Sequence, residues 1–160
     1  MTPLIINLDW NLALGSKFRE MRRPLHVIER QDEVVIPPTW PVWRGYDWGY
    51  ARPAACTWLA RDPTVPYPST YVFREWERRW VVTQDQAKLI RALSHRDPPA
   101  RMTLADPSTN KRTSLNTRQQ KLGDTYAAEM ARGGVPLTMA NNDRVLGWNR
   151  IHRALAWGEG

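Results

Sequence analysis

Cysteine is nearly absent. Cys56 is the only one in 160 residues, so the chain can form neither an internal disulfide nor a multi-cysteine zinc site. That usage fits a reducing, cytoplasmic setting. Long apolar runs are missing as well: none approaches the roughly 20 residues that cross a bilayer. The first residues lack the charged stretch, apolar segment and cleavage site of a secretory signal. The expectation is a soluble, unsecreted protein with no membrane partner. Histidine is sparse, and His26, His95 and His152 are scattered with no nucleophile or orienting acid around them. Each is expected to be structural or exposed, and serine- or cysteine-hydrolase chemistry finds no support. No Gly-x-x-x-x-Gly-Lys-Ser/Thr phosphate loop occurs either, so no ATP site is expected.

What is present is enough for one domain with a real core. At 160 residues the chain is too short for two ordinary domains, and 42% hydrophobic residues argue against wholesale disorder. A net charge of +7 and a pI near 10.1 suggest a polyanionic partner, because each phosphate contact releases condensed counterions. Many small basic proteins carry such an excess without binding nucleic acid, so charge alone leaves both readings open. Tryptophan is abundant, with nine residues. Trp48, Trp58, Trp76 and Trp148 fall in predicted strands or helices and are assigned to packing; Trp40 and Trp43 are the candidates for base stacking.

Residues 1–41 read as an extended lead-in or linker, irregular, with short apolar stretches such as Leu25-His26-Val27-Ile28, room for one short edge strand, and prolines at its end. Three strand-like runs follow, Val42 to Trp48, Ala54 to Ala60 and Thr70 to Trp76, rich in β-branched and aromatic residues and bounded by turn formers. Their short connections predict an antiparallel meander. Thr83-Gln84-Asp85-Gln86 then reads as a capping box. Ala87, Ile90 and Leu93 continue at helical spacing until Asp97-Pro98-Pro99. Arg101 to Ala105 is a short strand that stops at Asp106-Pro107. After a basic, polar stretch, Asp124 or Thr125 caps a helix ended by Gly133-Gly134. Val135 to Ala140 is the fifth strand, and Asn142 or Asp143 caps a last helix with Val145, Trp148, His152 and Leu155 on one face.

The order β-β-β-α-β-α-β-α gives an α/β domain over 42–160, a mixed sheet with helices packed on its faces. It is the order of the ribonuclease H-like fold, in which the fourth strand lies parallel beside the first. That arrangement would bring Asp47, in the first strand, beside Asp106, at the end of the fourth. Two carboxylates so close repel unless a cation lies between them. Hard oxygen ligands point to Mg²⁺ or Mn²⁺, and a two-ion site clamps the attacking and leaving oxygens of a phosphodiester. Asp106 also suits an ordinary turn cap. Asp47 is harder to explain structurally, because a carboxylate in a strand of Val, Trp and Tyr is costly unless paired or metal-bound. Glu75, from the third strand, is an accessory metal candidate. Asp143 reads as a cap rather than a ligand. Lys111, Arg112, Arg118 and Lys121 follow Asp106 and are candidate DNA contacts.

Several stretches make the likeness more specific. Arg44-Gly45-Tyr46-Asp47-Trp48-Gly49-Tyr50 with Pro53-Ala54-Ala55 resembles the first catalytic strand of the nuclease domain of tailed-bacteriophage large terminase subunits. Ala105-Asp106-Pro107-Ser108 resembles the segment carrying their second catalytic acid. Gly134-Val135-Pro136-Leu137 and Asn141-Asn142-Asp143-Arg144-Val145-Leu146-Gly147-Trp148 resemble their later strand and helix. Asp9-Trp10 to Gly15 and Phe18, His26-Val27-Ile28 and Ile36-Pro37-Pro38-Thr39-Trp40 are similar to the linker before that domain. The resemblance implies a metal-dependent DNA endonuclease with two Mg²⁺ or Mn²⁺ ions. Its substrate would be concatemeric double-stranded DNA, cut during genome packaging in the host cytoplasm. In the parent protein the implied partners are an ATPase domain, the portal and the small terminase subunit. The family's third metal-binding acid lies beyond the last helix and has no counterpart before Gly160. The chain is therefore expected to be a fragment, split product or C-terminally truncated form. The alternatives are a catalytically incomplete DNA-binding or assembly module of the same fold, or another ribonuclease H-like nuclease such as a resolvase or transposase.

Overall fold

The computed structural model describes residues 18–28, 35–65, 69–111 and 124–156. Its centre is a five-stranded sheet of β1 (Val42–Asp47), β2 (Ala54–Asp62), β3 (Ser69–Arg78), β4 (Ala100–Ala105) and β5 (Leu137–Met139), in the spatial order β3-β2-β1-β4-β5. The first three strands form the antiparallel meander, while β4 runs parallel to β1 and β5 parallel to β4. Helices α2 (Thr83–Leu93), α3 (Tyr126–Arg132) and α4 (Arg144–Leu155) intervene or follow, and a single helical turn, α1 (Arg23–His26), precedes the sheet. This is the mixed α/β, ribonuclease H-like arrangement expected from the element order. None of the described helices is long and apolar enough to cross a membrane.

Alternation along β2 positions the core. Ala54, Cys56, Trp58 and Ala60 are buried, and the residues between them are not. With a side-chain period of two, the buried set faces one side of the sheet. There Ala87 and Ile90 of α2, Met130 of α3 and Val135 join Tyr46, Trp58 and Trp76 in one cluster. Full burial of residues such as Trp58 and Ile90 contributes about 2–3 kcal/mol each.

The capping box does not form. Val82 is the N-cap of α2 and offers no side-chain cap. Thr83 Oγ1 instead accepts a hydrogen bond from Trp48 Nε1 at 3.2 Å. Gln86 turns inward: its Oε1 accepts from Tyr46 Oη at 2.5 Å, and its Nε2 donates to the carbonyls of Gly49 at 2.9 Å and Val81 at 2.7 Å. Both residues are buried, so satisfying buried polar groups of β1 and its loop takes precedence over the helix end. Gly49 packs so closely against this loop that a Cβ would overlap the Pro53 carbonyl.

Other caps follow the sequence. Thr125 Oγ1 accepts from Ala128 N at 3.1 Å, and Asp143 Oδ1 from Leu146 N at 3.0 Å. Asp124 pairs with Arg132 at 2.6 Å instead. Gly134, at φ +84°, ends α3 in a conformation that favours glycine. Helix α2 stops at Leu93, earlier than Asp97, whose carboxylate is held by Arg74. Leu25 and His26 belong to the helical turn and not to an edge strand. His26 Nδ1 accepts from the Arg22 backbone at 2.9 Å. On α4, Leu155 is buried and His152 binds Glu20 at 2.8 Å, but Val145 is 62% exposed and lies off the packed face.

Candidate functional site

Parallel pairing of β1 with β4 sets the site. Tyr46 is in register with Ala105, so Asp47 and Asp106 each follow a paired residue at the same edge of the sheet. Adjacent strands lie about 4.8 Å apart, which brings the two backbones close. Both aspartates are exposed and line one open cleft of about 390 Å³. Gly45, Thr57 and Leu104 form its floor on the sheet, and Asn141 and Asn142 close it from the loop after β5. The floor residues alternate with buried Tyr46, Cys56 and Ala105, so the cleft occupies the face away from the core.

Asp106 has a local structural role. It is the N-cap of the short 3₁₀ turn Pro107–Asn110, and its Oδ1 accepts from Ser108 N at 2.7 Å. Hydrogen bonds from the Ser108 side chain and then its backbone hold this carboxyl below its usual pKa, with smaller help from Arg144 and Lys111. Its carboxylate is an exposed anion at the edge of the cleft.

Glu75 pairs across the sheet with Thr57, which pairs with Gly45 of β1. Cross-strand partners share a face, so Glu75 flanks the cleft side two strands from Asp47 but is not among the residues lining the cleft. Partial burial, then the neighbouring Glu77, raises its pKa. Lys111 is exposed at the end of the 3₁₀ turn, near Asp106. Arg112, Arg118 and Lys121 lie outside the described residues. Among the described residues, no group of three or more His, Cys, Asp or Glu is placed to hold a metal ion. Trp40 packs against Tyr71 at 5.4 Å, and Trp43 lies under Arg101 at 5.8 Å.

Sequence reasoning does not single out Asn141 and Asn142 as cleft residues. The topological signal is that β5 runs parallel to β4, so the loop leaving β5 emerges at the edge where Asp106 ends β4.

No family model and no curated protein matches the sequence. Solved structures do match. The large terminase from a thermophilic bacteriophage superposes with a TM-score of 0.65 at 15% identity, over 89% of this chain and 32% of that one. The complex of that terminase with ADP gives 0.66 at 15% identity, over 88% and 31%. The P22 large terminase nuclease domain gives 0.55 at 14% identity, over 76% of this chain and 60% of that one. The chain thus spans about a third of the length of the thermophilic phage protein. Its ribonuclease H-like fold is the one found in the P22 large terminase nuclease domain.

Proposed function

We propose that the chain is a metal-dependent endonuclease domain of a phage DNA-packaging terminase, cutting double-stranded concatemeric DNA in the host cytoplasm. The observation that carries this reading is the convergence of Asp47 and Asp106 on one open cleft, in a fold shared with a terminase nuclease domain. The donor set suits a hard cation. Mg²⁺ and Mn²⁺ take oxygen ligands, often one or two carboxylates with water completing the shell. Two exposed aspartates in a roomy cleft meet that requirement for one ion, whereas a two-ion site needs more acid than the described residues bring together.

When bound, a divalent cation would neutralise charge on the phosphoryl oxygens and lower the pKa of a water. The chain's own contribution is positioning. Asp47 and Asp106 would hold the cation, and the Ser108 backbone N–H orients Asp106. The glycine at 45 and the small side chains of Ala55 and Thr57 leave the sheet surface low enough for a phosphodiester to approach. Lys111 and the basic residues after it would attract the backbone by charge. The ATPase domain, portal and small subunit belong to this proposal as partners of the parent protein.

A second reading is a DNA-binding or assembly module of the same fold without full catalytic capacity. It is favoured by the absence of a third acidic ligand among the described residues. Calorimetric titration with Mn²⁺ separates the two. The nuclease reading requires saturable binding that Asp47→Asn weakens by about tenfold or more; binding that is absent, or unchanged in the variant, supports the module.

A further inference from the structure

A second cleft, of about 310 Å³, opens at the other end of the same strand pair, where β1 and β4 begin. At about 3.3 Å per residue it lies roughly 15 Å from the aspartates. Arg44 and Trp58 line it from the sheet, Arg91, Ser94 and Asp97 from α2 and the turn after it, and Gly134 from the end of α3.

The two arginines are short of partners. Arg44 is half-buried, and burial lowers its pKa, a sign that its charge has lost water. Its Nε is buried without a hydrogen bond. Its Nη1 reaches Ser94 Oγ only at 3.4 Å, beyond the usual range. That hydroxyl is already engaged, accepting from Trp58 Nε1 at 2.8 Å and donating to the Ile90 carbonyl at 2.7 Å. Asp97, the carboxylate in the cleft, is gripped through both oxygens by Arg74. Arg91 has one weak bond, to the Gly133 carbonyl at 3.5 Å. It lies over Gly134, where a Cβ would sit 2.8 Å from its Cδ. Neither Arg44 nor Arg91 is within ion-pair distance of a carboxylate among the described residues, although Asp97 attracts Arg44 from farther off.

A guanidinium partly withdrawn from water is costly unless an anion or hydrogen-bond acceptors replace the water. The partly withdrawn Arg44 and the exposed Arg91 face one cavity, which suits a ligand that presents several charged oxygens, since charge-assisted guanidinium–phosphate bonds are among the stronger ones. The cavity falls at the small end of ligand sites, large enough for a phosphate or a mononucleotide and too small for a duplex. We propose that this cleft binds a phosphate-class oxyanion, either free or at the end of a nucleic-acid strand, through Arg44 and Arg91. The site is independent of the carboxylate cleft and of whether the chain cuts DNA.

The Trp58 indole N–H is a built-in reporter, because it donates to the hydroxyl that Arg44 approaches. In ¹H–¹⁵N spectra, inorganic phosphate added at constant ionic strength shifts this resonance and saturates. Arg91→Gln, an exposed position, keeps the native spectrum and weakens binding about tenfold or more, and Arg44→Lys weakens it less than Arg91→Gln. A second arm compares short single strands with and without a 5′-phosphate. Tighter binding of the phosphorylated strand than of both the unphosphorylated strand and inorganic phosphate identifies the strand end as the source; any other order identifies free phosphate. A shift that never saturates, or one of unchanged midpoint in folded Arg91→Gln, overturns the proposal.

Discussion

Asp47 and Asp106 stand at matching places on neighbouring parallel strands, each one residue past the paired Tyr46 and Ala105. The register matters because a slip of one residue sends a strand's side chains to the opposite face. Buried Tyr46 and Ala105 fix the register, so core packing is what presents both acids to one cleft.

Asp106 should titrate below the ordinary carboxylate range, because the hydrogen bonds from Ser108 favour its charged form. With the folded pKa depressed, its small stabilising contribution is present above the unfolded pKa and disappears as pH falls through the folded one. Carbonyl-detected NMR titration checks this. Ser108→Ala removes the largest cause and moves the Asp106 midpoint upward; an unmoved midpoint contradicts the assignment.

Gln86 ties Tyr46, Gly49 and Val81 together inside the protein. Gln86→Leu strands a buried hydroxyl and two carbonyls, and should cost about 2–4 kcal/mol. Urea unfolding measures it, with a lowered midpoint and an unchanged slope expected. Stability equal to the parent would show that water replaces the amide without loss.

Burial pushes the Cys56 thiol up to about 12 from 9.0 and raises the Tyr46 phenol as well. For raised acids the neutral folded form is favoured, so their contribution is complete below the unfolded values and is lost as pH rises towards the folded ones. Thermal stability should hold through neutral pH and fall above about 9. Cys56 should resist alkylation at pH 8 in the folded protein and react on unfolding. Rapid labelling of the native chain contradicts its burial.

The element order was legible because strand composition, proline-rich turns and helical spacing agree with one another. That the two aspartates meet at one sheet edge was legible because each sits at or just past a strand end. The apolar neighbours of Asp47 misled: they suggested a costly carboxylate, and Asp47 is exposed. Thr83 and Gln86 were not legible: their types fit a capping box and a buried network equally, and only tertiary packing decides between them. Leu25 and His26 look strand-like by composition, yet Pro24 is tolerated in the first turn of a helix, where a missing N–H costs nothing. The role of Asn141 and Asn142 needs the sheet order, which places the loop after β5 beside Asp106. Arg44 and Arg91, far apart in sequence, share a cleft because β1 and α2 pack on each other.

Replacing Lys111, Arg112, Arg118 and Lys121 together by glutamine should weaken DNA binding with a shallower salt dependence. Each lost phosphate contact removes about 0.9 from the slope of log K against log salt, so four contacts predict a change of about 3–4. Fluorescence anisotropy over a salt series reads it directly. An unchanged slope places DNA contact elsewhere on the chain.

The most direct test is cleavage of supercoiled plasmid in Mn²⁺ by the chain and by its Asp47→Asn variant at equal concentration. The account predicts nicking or linearisation by the parent, stopped by chelator and lost in the variant. Equal cleavage by both proteins, or none by either, contradicts a working metal-dependent site at Asp47 and Asp106.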